Sequence, residues 1–445
     1  MSELKTEDYL DHISDLQPAI EGLRLGEYSD LIDSEGHQYI DLMLDGAGSA
    51  SIAVLGHLHV LEQVGLRFLN IGGISAGALT AAVLAATNRP QYARTESLIG
   101  RLTQTPWPSF IDGVRDDDGD ARAALLAWRD ETRGTLSRLW NTSRILDNLQ
   151  SLHALNRGEV CHEWVDHTLR ELNSGQALTV KHLRVRMNDL PPLLVSPGAD
   201  DSDFRHLTDG PTWEVVNGSR VLLRPAAASD RLCIVSADLS TSTTVHLPAM
   251  APLFWAHPDE INVADFVRAA MGIPGLYATF KLRSLPPDEV RGLWRNQGWP
   301  DRCYDGDFLP AVHHLVDAAL LCPFPVDAFH QHARVPLRPT FGVRLRRHRH
   351  RSNPHSLLDT VRQSLHTARD TLDTTWLQGS PDHAKLVSFI DTEELDWFDL
   401  APSDETRLRL FRMGARSAVA FLRGFNWRDH KRVRRAFAEA WSRRV

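Results

Sequence analysis

The feature that most constrains the fold is a glycine-flanked serine placed between a strand pattern and a helix pattern. The segment Gly73-Ile74-Ser75-Ala76-Gly77 matches GxSxG, residues 67–71 have strand character, and residues 76–87 read as an alanine-rich helix. A nucleophile elbow requires this strand–turn–helix context. The turn exposes the serine hydroxyl, and the helix that follows offers unpaired N–H groups and a positive dipole end to developing negative charge. The alternative is structural, with Gly73 and Gly77 allowing close packing and Ser75 capping the helix.

The same order of elements occurs once before the serine. A strand pattern over residues 38–44 leads into Gly46-Ala47-Gly48, and a helical pattern follows over residues 54–61. Repetition of strand, turn and helix predicts a parallel sheet covered by helices. Since neighbouring parallel strands end at the same edge, we expect the glycine loop beside Ser75, with its N–H groups aimed at a bound carbonyl oxygen. Such an oxyanion hole contributes about 2.7–4 kcal/mol per donor; the alternative is a plain tight turn.

A third candidate feature is an Asp-Gly dipeptide far along the chain. It lies in Tyr304-Asp305-Gly306-Asp307, after an extended segment. A carboxylate on such a loop can reach an active site, and Asp305 is therefore a candidate base for the serine. The alternative is a solvated turn, because Asp-Gly is a common turn dipeptide.

In this order, the glycine loop, the GxSxG segment and the Asp-Gly dipeptide resemble the patatin-like phospholipase family. Residues 269–275 (Ala-Ala-Met-Gly-Ile-Pro-Gly) are similar to the segment before the family's catalytic aspartate. Residues 232–239 are similar to its mid-domain strand, and residues 341–345 to a late strand. The resemblance covers roughly residues 38 to 345 and is weak between 90 and 230.

The resemblance implies an α/β fold with a three-layer α/β/α core, a mostly parallel central sheet and a helical C-terminal part. It also implies a Ser-Asp dyad without histidine, in which Ser75 is the nucleophile and Asp305 the base. The N–H groups of Gly46-Ala47-Gly48 and of Ala76 would hold the oxyanion. The implied function is a serine acyl hydrolase of the phospholipase A or lysophospholipase type. It would cleave fatty-acyl esters through an acyl-serine, with no metal and no cofactor.

Two departures from the family pattern bear on activity. Ala50 and Ser51 stand where the family loop usually continues with Arg or Lys and then Gly, so a positive charge near the oxyanion is absent or supplied elsewhere. Asp307 stands where the family has Gly or Ala, and a second carboxylate would raise the pKa of one of the pair. These departures favour a rival function, a protein that keeps the fold and binds lipid or regulates with weak or no turnover. An acyltransferase with the same dyad is a third candidate.

The predicted organisation has three parts, with the segment 339–345 as the last strand of the chain. They are residues 1–37 as an N-terminal extension, 38–345 as the acyl hydrolase domain with a largely helical insertion at about 90–190 and a loop-rich excursion at about 196–230, and 346–445 as a helical C-terminal region. Helices between 90 and 170 are expected to line an apolar cavity for the acyl chain.

Composition narrows the class of protein and its partners. There are 57 acidic and 49 basic residues, a net charge of −8, which argues against a nucleic-acid binder. No apolar run approaches the roughly 18 residues that span a bilayer, and the N-terminus lacks a secretory pattern. The four cysteines show no CxxC spacing, which indicates reduced thiols in a cytoplasmic protein or in an effector exported without a cleaved signal.

The remaining motifs give weaker predictions. A Ser-Asp-His triad would draw on His313 or His314, but the elbow comes too early in the chain for an α/β-hydrolase. The acidic stretch from 116 to 120 fails as a calcium loop.

Basic residues near the C-terminus, with Phe437 and Trp441, are consistent with either an ordinary packing helix or a helix that contacts an anionic membrane. The expected partner is a lipid substrate, with a protein or small-molecule activator left open. Three His-x-His pairs lack a third metal ligand at a diagnostic spacing; they are His57 and His59, His330 and His332, and His348 and His350.

Overall fold

The computed structural model describes residues 4–112, 154–195, 213–216, 219–222, 230–298, 309–329, 335–346, 357–392 and 400–442. The chain divides into two compact units. One comprises Met1–Gln104, His182–Cys233 and Cys322–Val445, and the other comprises Thr105–Lys181 and Ile234–Leu321. Within the described residues, no helix has the length and hydropathy needed to cross a bilayer.

The described strands are β1 (Leu31–Ile32), β2 (Gln38–Leu44), β3 (Leu66–Ile74), β4 (Leu193–Val195), β5 (Trp213–Val216), β6 (Ser219–Leu222), β7 (Leu232–Asp238), β8 (Thr243–Leu247), β9 (Phe280–Arg283), β10 (Val312–Asp317), β11 (Thr340–Arg346) and β12 (Val387–Asp391). The described α-helices are α1 (Thr6–Asp11), α2 (Gln17–Leu23), α3 (Ile52–Gln63), α4 (Ala76–Thr87), α5 (Thr95–Leu102), α6 (Glu159–Glu171), α7 (Val180–Asn188), α8 (Val263–Ala270), α9 (Pro287–Asn296), α10 (Leu357–Gly379), α11 (Pro381–Ala384), α12 (Asp404–Gly424) and α13 (Trp427–Ser442).

The first unit contains a mixed sheet whose parallel strands surround the elbow. Its order is β5-β6-β4-β1-β2-β3, with β11 along the second half of β2 and β12 outside β11. β2 pairs in parallel with β3 and β11, and β11 pairs in parallel with β12. Leu44 lies opposite Gly73 on one side and Val343 on the other, so three strands end at one edge. Strands β2 and β11 are almost fully buried, as expected for parallel strands covered on both faces, and each carries a buried charged residue, Asp41 in β2 and Arg344 in β11.

The second unit contains antiparallel strands in the order β8-β7-β10-β9. Helices α6 and α8 pack against each other in this unit. A hydrogen bond of 2.7 Å between His162 Nε2 and Asp265 Oδ1 joins them, and burial opposes but does not cancel the rise that Asp265 causes in the pKa of His162. The unit therefore has its own packed helical layer.

The predicted α/β class with a helical C-terminal part is confirmed, with corrections. The sheet is mixed rather than mostly parallel, because β1, β4, β5 and β6 pair antiparallel. The segment 339–345 is a strand but not the last one, since β12 follows it. The excursion at 196–230 contains the hairpin of β5 and β6, with Val216 opposite Ser219. The residues between these strands are Asn217-Gly218, the strongest short hairpin signal in a sequence.

The C-terminal helix α12 packs directly on α3, the helix that follows the glycine loop. A Cβ added at Gly414 of α12 would lie 1.7 Å from the Ala53 carbonyl oxygen, and one at Gly56 would lie 2.0 Å from the Phe411 carbonyl oxygen. Backbones at this distance exclude any side chain at either position. The crossing therefore fixes α3, and with it the far end of the glycine loop.

Candidate active site

Ser75 lies at the junction of β3 and α4 in a conformation that serine rarely adopts. Its φ is +55° and its ψ is −136°, outside the regions favoured by residues with a Cβ. The residue is 9% exposed, and its side chain has no hydrogen-bond partner among the described residues. A strained serine whose hydroxyl is unbonded, on a strand-to-helix turn, has the geometry of a nucleophile elbow.

The two flanking glycines are required by close backbone approach. A Cβ at Gly73 would lie 2.2 Å from the Gly77 carbonyl oxygen. A Cβ at Gly77 would lie 2.1 Å from the Leu44 carbonyl oxygen, at the end of the neighbouring strand. Real Cβ contacts are never this short, so the turn can form only with glycine at both positions. The GxSxG spacing therefore has a steric cause in the close approach of backbones on both sides of Ser75.

The glycine loop lies against the elbow. A Cβ at Gly46 would lie 2.2 Å from the Gly77 nitrogen and 2.4 Å from the Ala76 carbonyl carbon. In this arrangement the Gly46 N–H donates to Asp45 Oδ1 at 2.9 Å, and the Ala47 N–H donates to Ser51 Oγ at 3.2 Å.

The N–H groups of Gly48 and Ala76 have no acceptor among the described residues. Gly48 has a φ of +52°, and Ala76 is the first residue of α4, where helical N–H groups have no partner within the helix. Of the four predicted oxyanion donors, the N–H groups of Gly46 and Ala47 are therefore bonded within the loop, and those of Gly48 and Ala76 are available to a ligand.

A buried carboxylate marks the start of this loop. Asp45 is 0% exposed and accepts hydrogen bonds from the N–H of Leu345 as well as from Gly46. Arg369 Nη2 of α10 donates to both of its carboxylate oxygens, at 2.5 and 2.6 Å. Burial lowers the pKa of the nearby Arg344 to about 10, and Asp45 opposes that shift. Two arginines, Arg369 of α10 and Arg344 of β11, therefore lie near Asp45 at the start of the loop, and Arg369 forms an ion pair with this carboxylate.

Sequence reasoning missed this pair. Arg369 is 324 positions from Asp45, and one arginine on an amphipathic helix carries no signal of such a contact.

Several predicted residues lie outside the described part of the chain. These are Asp305 and Asp307, the histidines 330, 332, 348 and 350, and the acidic stretch 116–120. The pairing of Ser75 with Asp305 therefore stays a prediction. The described part of the chain contains no cluster of His, Cys, Asp or Glu that could hold a metal ion.

His313 and His314, the candidates for a Ser-Asp-His triad, contact side chains of the second unit. His313 is buried, and its Nδ1 lies 2.7 Å from Asp238 Oδ2. Burial alone would raise the pKa of Asp238, but hydrogen bonds from His313 and Thr241 outweigh burial and lower it. His314 Nδ1 lies 2.8 Å from the Thr279 hydroxyl.

His57 and His59, two positions apart on α3, are also buried. Burial lowers the pKa of His57 to about 3, and His59 Nδ1 lies 3.2 Å from the Thr95 hydroxyl.

The basic C-terminal helix α13 is tied to the protein by ion pairs. Lys431 Nζ lies 2.7 Å from Asp30 Oδ2, and Arg434 Nη1 lies 2.9 Å from Asp382 Oδ2. Both basic side chains are buried, while Phe437 is 38% exposed. This arrangement favours the packing-helix interpretation over the membrane-docking one.

The fold and the elbow together define an α/β protein with a strained serine turn beside a glycine loop. The model of the patatin family, described as patatin-like phospholipase, matches residues 42–330. The chain belongs to the patatin-like phospholipase family.

Among curated proteins, the chain is 22% identical over 394 residues to the uncharacterized protein YqhO of Bacillus subtilis (strain 168), covering 87% of the chain and 100% of that protein. Among solved structures it is similar to VipD from Legionella pneumophila, at 12% identity and a TM-score of 0.40, over 89% of this chain and 70% of VipD. It is also similar to ExoU in the ExoU–SpcU complex of Pseudomonas aeruginosa, at 15% identity and a TM-score of 0.35, over 86% of this chain and 51% of ExoU. The chain thus spans about half the length of ExoU.

Proposed function

We propose that the protein is a serine acyl hydrolase that cleaves fatty-acyl esters of phospholipids or lysophospholipids. The observation that carries the proposal is the conformation of Ser75, held at positive φ on a turn against which the glycine loop packs. Family membership supports a lipid ester as the substrate. An ordinary helix cap has no need of this strain, because a capping serine adopts an extended conformation.

The proposed chemistry proceeds in two steps through Ser75. The Ser75 hydroxyl attacks the ester carbonyl while Asp305 accepts its proton, and the N–H groups of Gly48 and Ala76 hold the oxyanion. The tetrahedral intermediate collapses, Asp305 returns the proton to the leaving alcohol, and an acyl-serine remains. Water then attacks the acyl-serine with Asp305 again as base, which releases the fatty acid and restores the hydroxyl. Because a carboxylate is a weak base for serine, the preorganised donors contribute much of the acceleration.

The test is ester turnover by variants of the two proposed catalytic residues. Ser75→Ala and Asp305→Asn are each expected to reduce release of fatty acid from phosphatidylcholine, and hydrolysis of p-nitrophenyl butyrate, by at least about 1,000-fold with the fold retained. Asp307→Asn is the matched control, because it removes a carboxylate two positions from Asp305 and should keep turnover within about tenfold of the starting protein. Undiminished turnover in either catalytic variant would refute the proposal.

A second candidate is a lipid-binding protein with little turnover. It is favoured by the bonds that Gly46 and Ala47 make inside the loop, because these N–H groups are then not aimed at a substrate oxygen. Binding of phosphatidylcholine vesicles with no fatty acid released by the starting protein would select this candidate.

A further inference from the structure

The carboxylate of Asp45 is placed to fix the backbone conformation at the start of the glycine loop. Asp45 is the residue after the last residue of β2, and the loop begins with the next residue. Its backbone N–H donates to the Val343 carbonyl at 2.9 Å, and its side chain accepts the Gly46 N–H. These two hydrogen bonds hold the peptide groups before and after Asp45, and the second of these is the first peptide group of the loop.

The orientation of that carboxylate depends on Arg369. The terminal nitrogen Nη2 lies within 2.6 Å of both oxygens, and the arginine side chain is 7% exposed. Charge-assisted hydrogen bonds of this kind are short and directional. A buried carboxylate without its cation is costly, so Asp45 deprived of Arg369 would turn towards solvent, and that change alters what Gly46 donates to.

We propose that Arg369 is a positioning residue for the oxyanion loop, acting on it through Asp45. This inference rests on the proposed function, since it concerns the same hydrolysis at Ser75. Arg369 does not touch substrate in this account. It holds Asp45 so that Gly46 stays bonded within the loop, while the Gly48 N–H remains available at the elbow.

A second pair of an arginine and a buried aspartate, at β2, offers a matched control. Arg338 Nε lies 2.7 Å from Oδ1 of Asp41. Asp41 is a buried residue of β2, four positions before Asp45. Arg338→Met therefore removes an arginine from a buried aspartate of β2 without touching the glycine loop. A loss of activity that came only from weakening this strand would appear in both methionine variants.

The experiment compares kcat and KM for p-nitrophenyl butyrate in Arg369→Met, Arg369→Lys and Arg338→Met. Loss of one oxyanion donor reduces kcat by about 100- to 1,000-fold, so Arg369→Met is expected to lose about 100-fold in kcat with KM within about threefold. Arg369→Lys should recover about tenfold of that loss, because the ammonium keeps the charge without the planar guanidinium. Arg338→Met should keep kcat within about threefold.

A double variant keeps the test decisive if Arg369→Met does not fold. Asp45→Asn combined with Arg369→Met removes both charges of the ion pair, and it is expected to fold with kcat still reduced by at least about tenfold. A folded Arg369→Met or double variant with unchanged kcat would overturn the inference, as would an equal loss in Arg338→Met. Ser75→Ala, measured in parallel, separates the two claims. If Ser75→Ala is inactive and Arg369→Met keeps its kcat, only the positioning role of Arg369 is refuted. Ester turnover by Ser75→Ala would refute the proposed hydrolase function itself.

Discussion

Replacing Ser75 with glycine should stabilise the protein while removing its proposed nucleophile. A residue with a Cβ at φ +55° and ψ −136° stores about 1–3 kcal/mol of backbone strain. Glycine relieves that strain, but it gives the unfolded chain more conformational freedom, at a cost of about 0.4–1 kcal/mol. The net expectation is a rise of about 1 kcal/mol in the free energy of unfolding. Ser75→Ala keeps the Cβ and loses a hydroxyl with no partner among the described residues, so it should change stability by less than about 0.5 kcal/mol.

The assay is urea denaturation of the starting protein and both variants, followed by far-UV circular dichroism. Ser75→Gly should unfold at a higher urea concentration than Ser75→Ala, with an unchanged slope of unfolding free energy against urea. A glycine variant that is less stable than the alanine variant would show that the turn is not strained, and the elbow interpretation would lose its main structural support. Neither variant should hydrolyse esters.

Three further predictions concern packing and titration. Burial lowers the pKa of His430 to about 4, below its unfolded value of about 6.5, so the unfolded state binds the proton more readily. The free energy of unfolding should therefore fall by about 1.4 kcal/mol per pH unit from pH 6.5 towards pH 4, and His430→Gln should remove that component from urea titrations run across this range. Gly77→Ala should cost at least about 1–3 kcal/mol and abolish ester hydrolysis, because its Cβ would clash with a backbone oxygen of the neighbouring strand. Gly414→Ala should cost at least as much, whereas Gly424→Ala in the same helix, with nothing within 4 Å, should change stability by less than about 1 kcal/mol in the same denaturation assay.

Local patterns predicted the elements around the elbow because those elements are encoded locally. The spacing of apolar residues predicts β2 and α4 at the observed bounds and α3 to within about two residues, and Gly65 follows the end of α3 with a φ of +97°. The predicted strand 67–71 is shorter than β3, which continues through Gly72 and Gly73 to Ile74. GxSxG also predicts a steric requirement at two glycines that the structure shows directly. These features depend on residues within a few positions of one another.

The features that sequence reasoning missed depend on distant contacts or on short signals. β12 is a five-residue strand that follows the short helix α11, and its partner β11 lies some 45 positions earlier. The contact of Arg369 with Asp45 spans 324 positions, and the Gly414 crossing on α3 spans a similar distance. The β5–β6 hairpin could have been predicted from Asn217-Gly218. The pairing of Ser75 with Asp305 remains a prediction that the sequence alone supports.

The central claim is that Ser75 is activated as a nucleophile with Asp305 as its base. The most direct measurement is covalent labelling by a fluorophosphonate probe, with the modified residue identified by peptide mass spectrometry. The account predicts one labelled site, Ser75, with labelling slowed by orders of magnitude in Asp305→Asn and nearly unchanged in Asp307→Asn. Labelling at another residue, or equal labelling rates in the two aspartate variants, would contradict it.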